Sequence, residues 1–184
     1  MPHRHVVHSL WRDGQGRALG FQDLTVACHT DNQEAYDCFL RGCELWWRHS
    51  KEANRDAQPL LRRAIELDPR FAPAYAFLAG ALVNDYVNGW TPSPAEALEE
   101  GEKTARRAAE IDERSPIALW TVALSCIWAR RYDEAVSAVE KTIAFNPSFA
   151  EGHNVHGVIL HFLGRSEEAL EHFERAVALE ALSD

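Results

Sequence analysis

His153, His156 and His161 crowd one stretch of the chain, and three such imidazoles could in principle hold a transition metal. A spacing of three puts His153 and His156 on one helical face. No Cys or carboxylate completes a ligand set at good spacing, so no metal is expected there. His3, His5 and His8 could scavenge a metal ion only adventitiously, as flexible His tracts do. Cys38 and Cys43 lie five apart, not in the C-x-x-C spacing of a redox or zinc site, and read as helix packing. Gly14, Gly16 and Gly20 miss G-x-G-x-x-G by one place and lack a strand–turn–helix context, so no nucleotide is expected. Asp133-Glu134 and Glu167-Glu168 fall where they would oppose the positive ends of helix dipoles. General acid–base work by them would need burial and a facing partner. No Ser/His/Asp or Cys/His constellation can be assembled. The residues with chemical potential thus predict no enzyme, no catalytic group, no metal and no cofactor.

The elements that would have to position any site are therefore the more informative level. The 184 residues are 46% hydrophobic and 26% charged, the profile of one globular domain rather than a disordered or low-complexity chain. Nineteen Lys and Arg against 28 Asp and Glu leave a net charge of −9. That balance repels phosphate backbones, and no local basic patch offsets it, so no nucleic acid is expected as partner. The most apolar stretch, 117–129, is 13 residues long and well short of the roughly 20 needed to span a bilayer, so no membrane partner is expected either. Four cysteines without a paired framework, and no secretory leader pattern, predict a reducing cytoplasm.

The chain repeats itself. Ala135 and Ala169 are 34 residues apart, as are Thr142 and Ala176. Segments 60–69, 106–112, 140–147 and 174–180 are four versions of one helix ending, each with a small residue followed by an apolar one three later. Helices are predicted near 32–49, 53–68, 72–87, 94–112, 116–129, 132–145, 149–162 and 166–180. Asp31 with Glu34 and Ser93 with Glu96 read as capping boxes, Ser115-Pro116 opens another helix, and Gly89 and Gly164 supply left-handed stops.

A period of roughly 34 residues with this pattern resembles the tetratricopeptide repeat. The fourth repeat matches through Gly157, Gly164, Ala169, Phe173 and Ala176, and the third through Ala123, Tyr132, Ala135 and Pro147. The second carries Tyr75, Ala79, Ala108 and Asp112, but has Glu113 for the terminal Pro and is ten residues longer than the period. The first has Gly42, Ala57, Ala64 and Pro69, with about three extra residues. The resemblance implies an all-α, right-handed superhelical solenoid of four helix-turn-helix repeats, near 32–70, 71–115, 116–149 and 150–184. Residues 1–31 stay outside it as an irregular segment or linker.

Mapped onto that family, the first helix of each repeat lines a concave groove. Tyr36, Phe39, Cys43, Trp46 and Trp47 would come from the first repeat, with Ala76, Phe77, Gly80, Val83 and Asn84 from the second. Trp120, Thr121, Ser125, Ile127 and Trp128 would come from the third, and Glu151, Asn154, Val158, His161 and Phe162 from the fourth. Aromatics on a face that need not be buried predict a docking surface for a protein or peptide ligand with apolar anchors. The competing reading is that Trp46 or Trp47 packs against neighbouring helices or the N-terminal segment. Asn84 and Asn154 lack companion lysines, which argues against a clamp for a peptide C-terminus. The stretch 85–93 carries Tyr86 and Trp90 as either a lid over the stack or a contact for a partner domain.

A narrower resemblance rests on 35–42, 84–90 and 64–75, which look like the repeat tails of bacterial class III adenylate or guanylate cyclases and of TolB-like or winged-helix regulators. It implies a regulatory segment of a signalling system as the alternative function. An apolar last repeat without a polar capping helix predicts either a homodimer through that repeat or a continuing chain.

Overall fold

A computed structural model describes residues 30–181, and within them eight helices follow one another without a strand. They are α1 (Gln33–Trp46), α2 (Lys51–Leu67), α3 (Ala72–Asn88), α4 (Pro94–Ile111), α5 (Pro116–Trp128), α6 (Tyr132–Phe145), α7 (Ala150–Phe162) and α8 (Ser166–Glu180). The predicted all-α architecture is the observed one. Consecutive helices pair as α1–α2, α3–α4, α5–α6 and α7–α8. The odd-numbered helices also meet one another, α1 with α3, α3 with α5 and α5 with α7, whereas each even helix packs on its own partner and on the next odd helix. An inner layer of odd helices backed by an outer layer of even ones is the geometry of a solenoid.

Small residues let this stack close up. A Cβ on Gly42 would fall 2.8 Å from the Cγ of Leu61, which is fully buried, so α1 meets α2 almost backbone to side chain. Gly157 approaches the ring of Phe173 in the same way, at 2.7 Å. Ala57, Ala64, Ala79, Ala105, Ala108, Ala118, Ala123 and Ala135 are all fully buried at the helix crossings.

Several helix ends depart from the expected ones. The cap of α1 is Asn32 rather than Asp31: its Oδ1 accepts from the Ala35 amide at 3.1 Å while its Nδ2 donates to the Leu67 carbonyl. That second bond joins the start of repeat one to the end of α2, which a local box cannot do. Ser93 makes no side-chain cap; Pro94 at the first helical position removes one unpaired donor without it. The first turn closes earlier than predicted. His49 takes a left-handed φ of 47°, and Ser50 caps α2 by accepting from Ala53, so α1 stops at Trp46 and α2 begins at Lys51. Ser115 caps α5 as expected, by accepting from Ala118. Gly89 and Gly164 are left-handed as expected (φ 63° and 77°), and Arg130, 34 residues before Gly164, adopts φ 59° at the equivalent turn.

The ten additional residues of repeat two do not form a free-standing lid. They lengthen α3 to 17 residues against 13 in α5, and α4 to 18 against 14 in α6, leaving a five-residue turn at 89–93. Asn54, buried in α2, holds the lengthened α3 by donating to the Ala81 carbonyl and to Asp85 Oδ1, and Gln58 donates to Asp85 Oδ2 at 2.8 Å. Glu102 of α4 bridges Arg106 and Arg131, and Glu134 of α6 closes the set by pairing with both arginines. Burial alone would raise the Glu102 carboxyl, but hydrogen bonds from Arg131 and Arg106 outweigh it and hold the group below the usual carboxylate range.

Replacing Gly42 by Ala is expected to lower unfolding free energy by about 1–2 kcal/mol, since overpacking against immobile Leu61 exceeds the gain in helix propensity. Gly157→Ala should cost less, because the half-buried Phe173 has room to turn. Urea denaturation of both variants checks this; a neutral Gly42→Ala would contradict the packing described.

Candidate functional site

The eleven aromatic and polar residues expected on the groove separate into two populations. Phe39, Trp46, Trp47, Phe77, Asn84 and Trp120 are buried. Phe39 meets Phe71 and Phe77 edge-on, with centroids 4.9 and 5.4 Å apart. Trp46 stands edge-on to Trp47, Phe77 and Trp120, reaching across three repeats. It can do so because Gly80 has no side chain: a Cβ there would sit 3.2 Å from the Trp46 ring. Trp120 continues the row to Phe149. The expectation that these rings lie open as a docking surface is therefore corrected. Large rings on one odd helix fill the space that small residues leave on the next, and the aromatic row becomes the glue between repeats. Edge-to-face pairs of this kind are worth about 0.5–1.5 kcal/mol each beyond the area they bury.

Tyr36 is half-buried 6.5 Å from Phe39, and Trp128, Asn154 and Phe162 are half-buried while His161 is exposed. Trp128 is joined by Tyr86 at 6.3 Å, and Phe162 stacks on Tyr132 at 6.0 Å with His161 beside it. Tyr86, Trp128, Tyr132, His161 and Phe162 lie where an odd helix turns into its even partner, so repeats two to four carry an aromatic edge partly open to water. Trp128, His161 and Phe162 are among the residues that the family resemblance assigns to the groove. The resemblance does not single out Tyr132 as a member, because its place in the repeat pattern reads as packing. Tyr86 belongs to the lengthened end of α3. Residues 1–29, with His3, His5, His8, Cys28 and the glycines Gly14 to Gly20, lie outside the described residues.

The histidines form a second cluster, behind the groove between α7 and α8. His153 Nε2 faces the Pro147 carbonyl at 3.1 Å, and His153 Nδ1 faces His172 Nδ1 at 3.2 Å. If Nε2 of His153 donates to the carbonyl, its Nδ1 accepts and His172 donates. The His156 ring lies 4.0 Å from that of His172, centroid to centroid. His161 points elsewhere, so the trio is completed by His172, which the sequence reading did not use. Burial, then the neighbouring charge of His172 and His153, pushes His156 down to about 4; burial also lowers His153 and His172. Among the described residues no group of three His, Cys, Asp or Glu is arranged to hold a metal ion. No helix among them is long and apolar enough to cross a membrane.

With the geometry in place, comparison with known proteins gives a consistent picture. Residues 150–181 match the family model described as tetratricopeptide repeat. The chain has the fold of a tetratricopeptide-repeat solenoid. Its fold is similar to the crystal structure of MamA, with 20% identity over 88% of this chain and 85% of that one at a TM-score of 0.56. It is similar as well to PilF of Pseudomonas aeruginosa, with 20% identity over 81% and 62% at a TM-score of 0.64. A thermophilic repeat protein of Thermus thermophilus aligns at 18% identity over 76% and 74%, with a TM-score of 0.62. At such identities the likeness concerns the fold. In sequence the chain is similar to "Putative adenylate cyclase 3" of Rhizobium meliloti, 33% identical over 105 residues. That is 57% of this chain but 18% of the relative, so the chain spans less than a fifth of that protein.

The trio predicts a pH effect on stability with a definite sign. In the unfolded chain His156 titrates near 6.5, so below that pH the unfolded state binds a proton that the folded state refuses until about 4. Stability should fall by about 2 kcal/mol between pH 6.5 and 4.5 through this residue. Across that window wild type should lose stability relative to His156→Leu by about that amount as pH drops; a difference that stays constant would contradict the assignment.

Proposed function

We propose that the chain is a non-catalytic interaction module that takes a peptide or a partner-protein segment along the inner face of its odd helices. Proteins of the tetratricopeptide fold generally mediate protein–protein interaction, and that much follows from the fold. The observation that carries the finer reading is the partly open aromatic edge, where Tyr86 with Trp128 and Tyr132 with Phe162 stay half-exposed. Such a row marks a docking surface, because apolar area left in water costs free energy until a partner covers it. Tyr36, Asn154 and His161 are the polar or amphipathic neighbours that would orient the segment. The buried row of Phe39, Trp46, Trp47, Phe77, Asn84 and Trp120 holds the groove in shape before binding, so little ordering entropy is lost.

A second reading is supported by the similarity over 105 residues to a protein named as an adenylate cyclase. In it, the module is a regulatory segment of a bacterial cytoplasmic signalling protein and acts on a neighbouring catalytic or DNA-binding domain. The exposed Leu163, Leu170 and Val177 at the last repeat favour self-association through that end in either case. Leu170 and Val177 are seven residues apart and share one face of α8.

Selection of a random peptide library on the full chain tests the groove. Selected peptides should carry apolar anchors, and Trp128→Ala with Phe162→Ala should weaken them at least about tenfold. Leu170→Ala, on the far end, should leave them unchanged, with circular dichroism showing all variants folded. Binding lost equally with Leu170→Ala, or unaltered by the groove pair, would overturn the reading.

A further inference from the structure

The helix least firmly held in the stack is α8. Each earlier even helix lies against two odd ones, whereas α8 packs chiefly on α7. Only Ala169, Ala176 and Leu179 of α8 are buried, fewer than in any other helix among the described residues. Phe173, half-buried, lies over Gly157 of α7. So few buried groups make for a low free energy of local opening.

The histidine trio sits in this seam and leaves no place for an added proton. A carbonyl only accepts, so His153 Nε2 donates to Pro147, and the 3.2 Å approach of His153 Nδ1 to His172 Nδ1 holds one proton, donated by His172. A second proton there would set N–H against N–H. His156 Nδ1 is buried without a hydrogen-bond partner, and its ring lies 4.0 Å from that of His172. Protonated, it would bring an uncompensated charge into the seam.

The surrounding charges do not offset this. Glu168 and Glu171 of α8 lie near His172 and favour its cation, but Glu168 already accepts two bonds from Arg165, at 2.7 and 2.6 Å. Arg165 bears on His156 and Arg175 of α8 on His153, and both oppose a positive ring. Glu140 of α6 acts on Arg165. Burial outweighs the carboxylates and the Pro147 carbonyl at each imidazole, so the closed seam keeps all three rings neutral to lower pH than water would.

We propose that the trio is an acid-released latch: on mild acidification α8 leaves α7 while α1 to α7 stay stacked. Once apart, each ring reaches water and takes a proton near its ordinary value of about 6.5. The detached state thus binds protons that the closed seam refuses, and its population rises as pH falls through and below that value. His156, neutral in the closed seam until about 4, by itself raises the opening constant about twentyfold between pH 7 and 5. Departure of α8 uncovers the side of α7 at Gly157 on which Phe173 lies. The latch goes beyond the interaction reading and does not depend on what the groove receives.

Hydrogen exchange of the full chain, resolved by peptide and corrected for the intrinsic rate at each pH, reads the opening. Between pH 7 and 5 the slowest amides of 166–180 should lose protection at least about tenfold. At pH 5 they should remain at least about tenfold less protected than those of 33–128, which open only with the whole chain. In His156→Leu with His172→Gln, the introduced amide oxygen can accept from a protonated His153, and the acid loss should shrink to less than about threefold. Circular dichroism at pH 7 checks that this variant folds; if it does not, His156→Leu alone should cut the loss at least about fivefold. Equal protection of 166–180 and 33–128 at pH 5 would show the chain opening as one unit and overturn the proposal. So would an α8 indifferent to pH, or an acid loss that survives in the variants.

Discussion

Close approach of helix backbones at small residues is the constraint from which the rest of the molecule follows. Gly42 against Leu61, Gly157 against Phe173, and a run of fully buried alanines let each helix sit deep against the next. Gly80 matters differently. By lacking a side chain it opens the slot through which Trp46 reaches from repeat one to Trp120 of repeat three. Nearest-neighbour contacts hold a solenoid together pair by pair; here a single indole adds a tie beyond the nearest neighbour. Substituting Gly80 would therefore disturb three repeats, not one.

That same tie settles what the inner face can offer. Rings that fill the stack cannot also receive a ligand, so the docking surface proposed above moves outward, to the turn-side ends of α3, α5 and α7. There Trp128 beside Tyr86 and Phe162 beside Tyr132 are half-buried rather than sealed. The polar staples sit on the opposite, outer side. Glu102, Arg106, Arg131 and Glu134 join α4 to α6 across the boundary of repeats two and three, and exposed pairs such as Arg62 with Glu100 join α2 to α4. Exposed pairs contribute little each, so register rests on apolar packing with the charges as trim.

Most of the fold was legible because its signals are local. Pro94, Pro116, Gly89, Gly164 and the 34-residue spacing of Ala135 and Ala169 each act within a turn or a period. The misreadings came where distant contacts decide. Asn32 displaced Asp31 as a cap because its side chain also bonds the end of α2, 35 residues on. His49 ended α1 early through a left-handed φ that its residue type does not announce. The family mapping names Phe39, Trp46, Phe77 and Trp120 as inner-face residues, but burial there depends on ring size meeting small residues one repeat away. His172 was passed over for a related reason: its partners, His153 and His156, sit on another helix.

The central claim is that the inner-face aromatics divide into a sealed row and an open edge. Fluorine NMR of 5-fluorotryptophan-labelled full chain, with a soluble gadolinium relaxation agent, measures that division residue by residue once single Trp→Phe variants assign the signals. The account predicts that the Trp46 and Trp120 resonances resist broadening while Trp128 broadens strongly. Equal broadening of Trp46, Trp120 and Trp128 would contradict it, and would return the whole row to the surface.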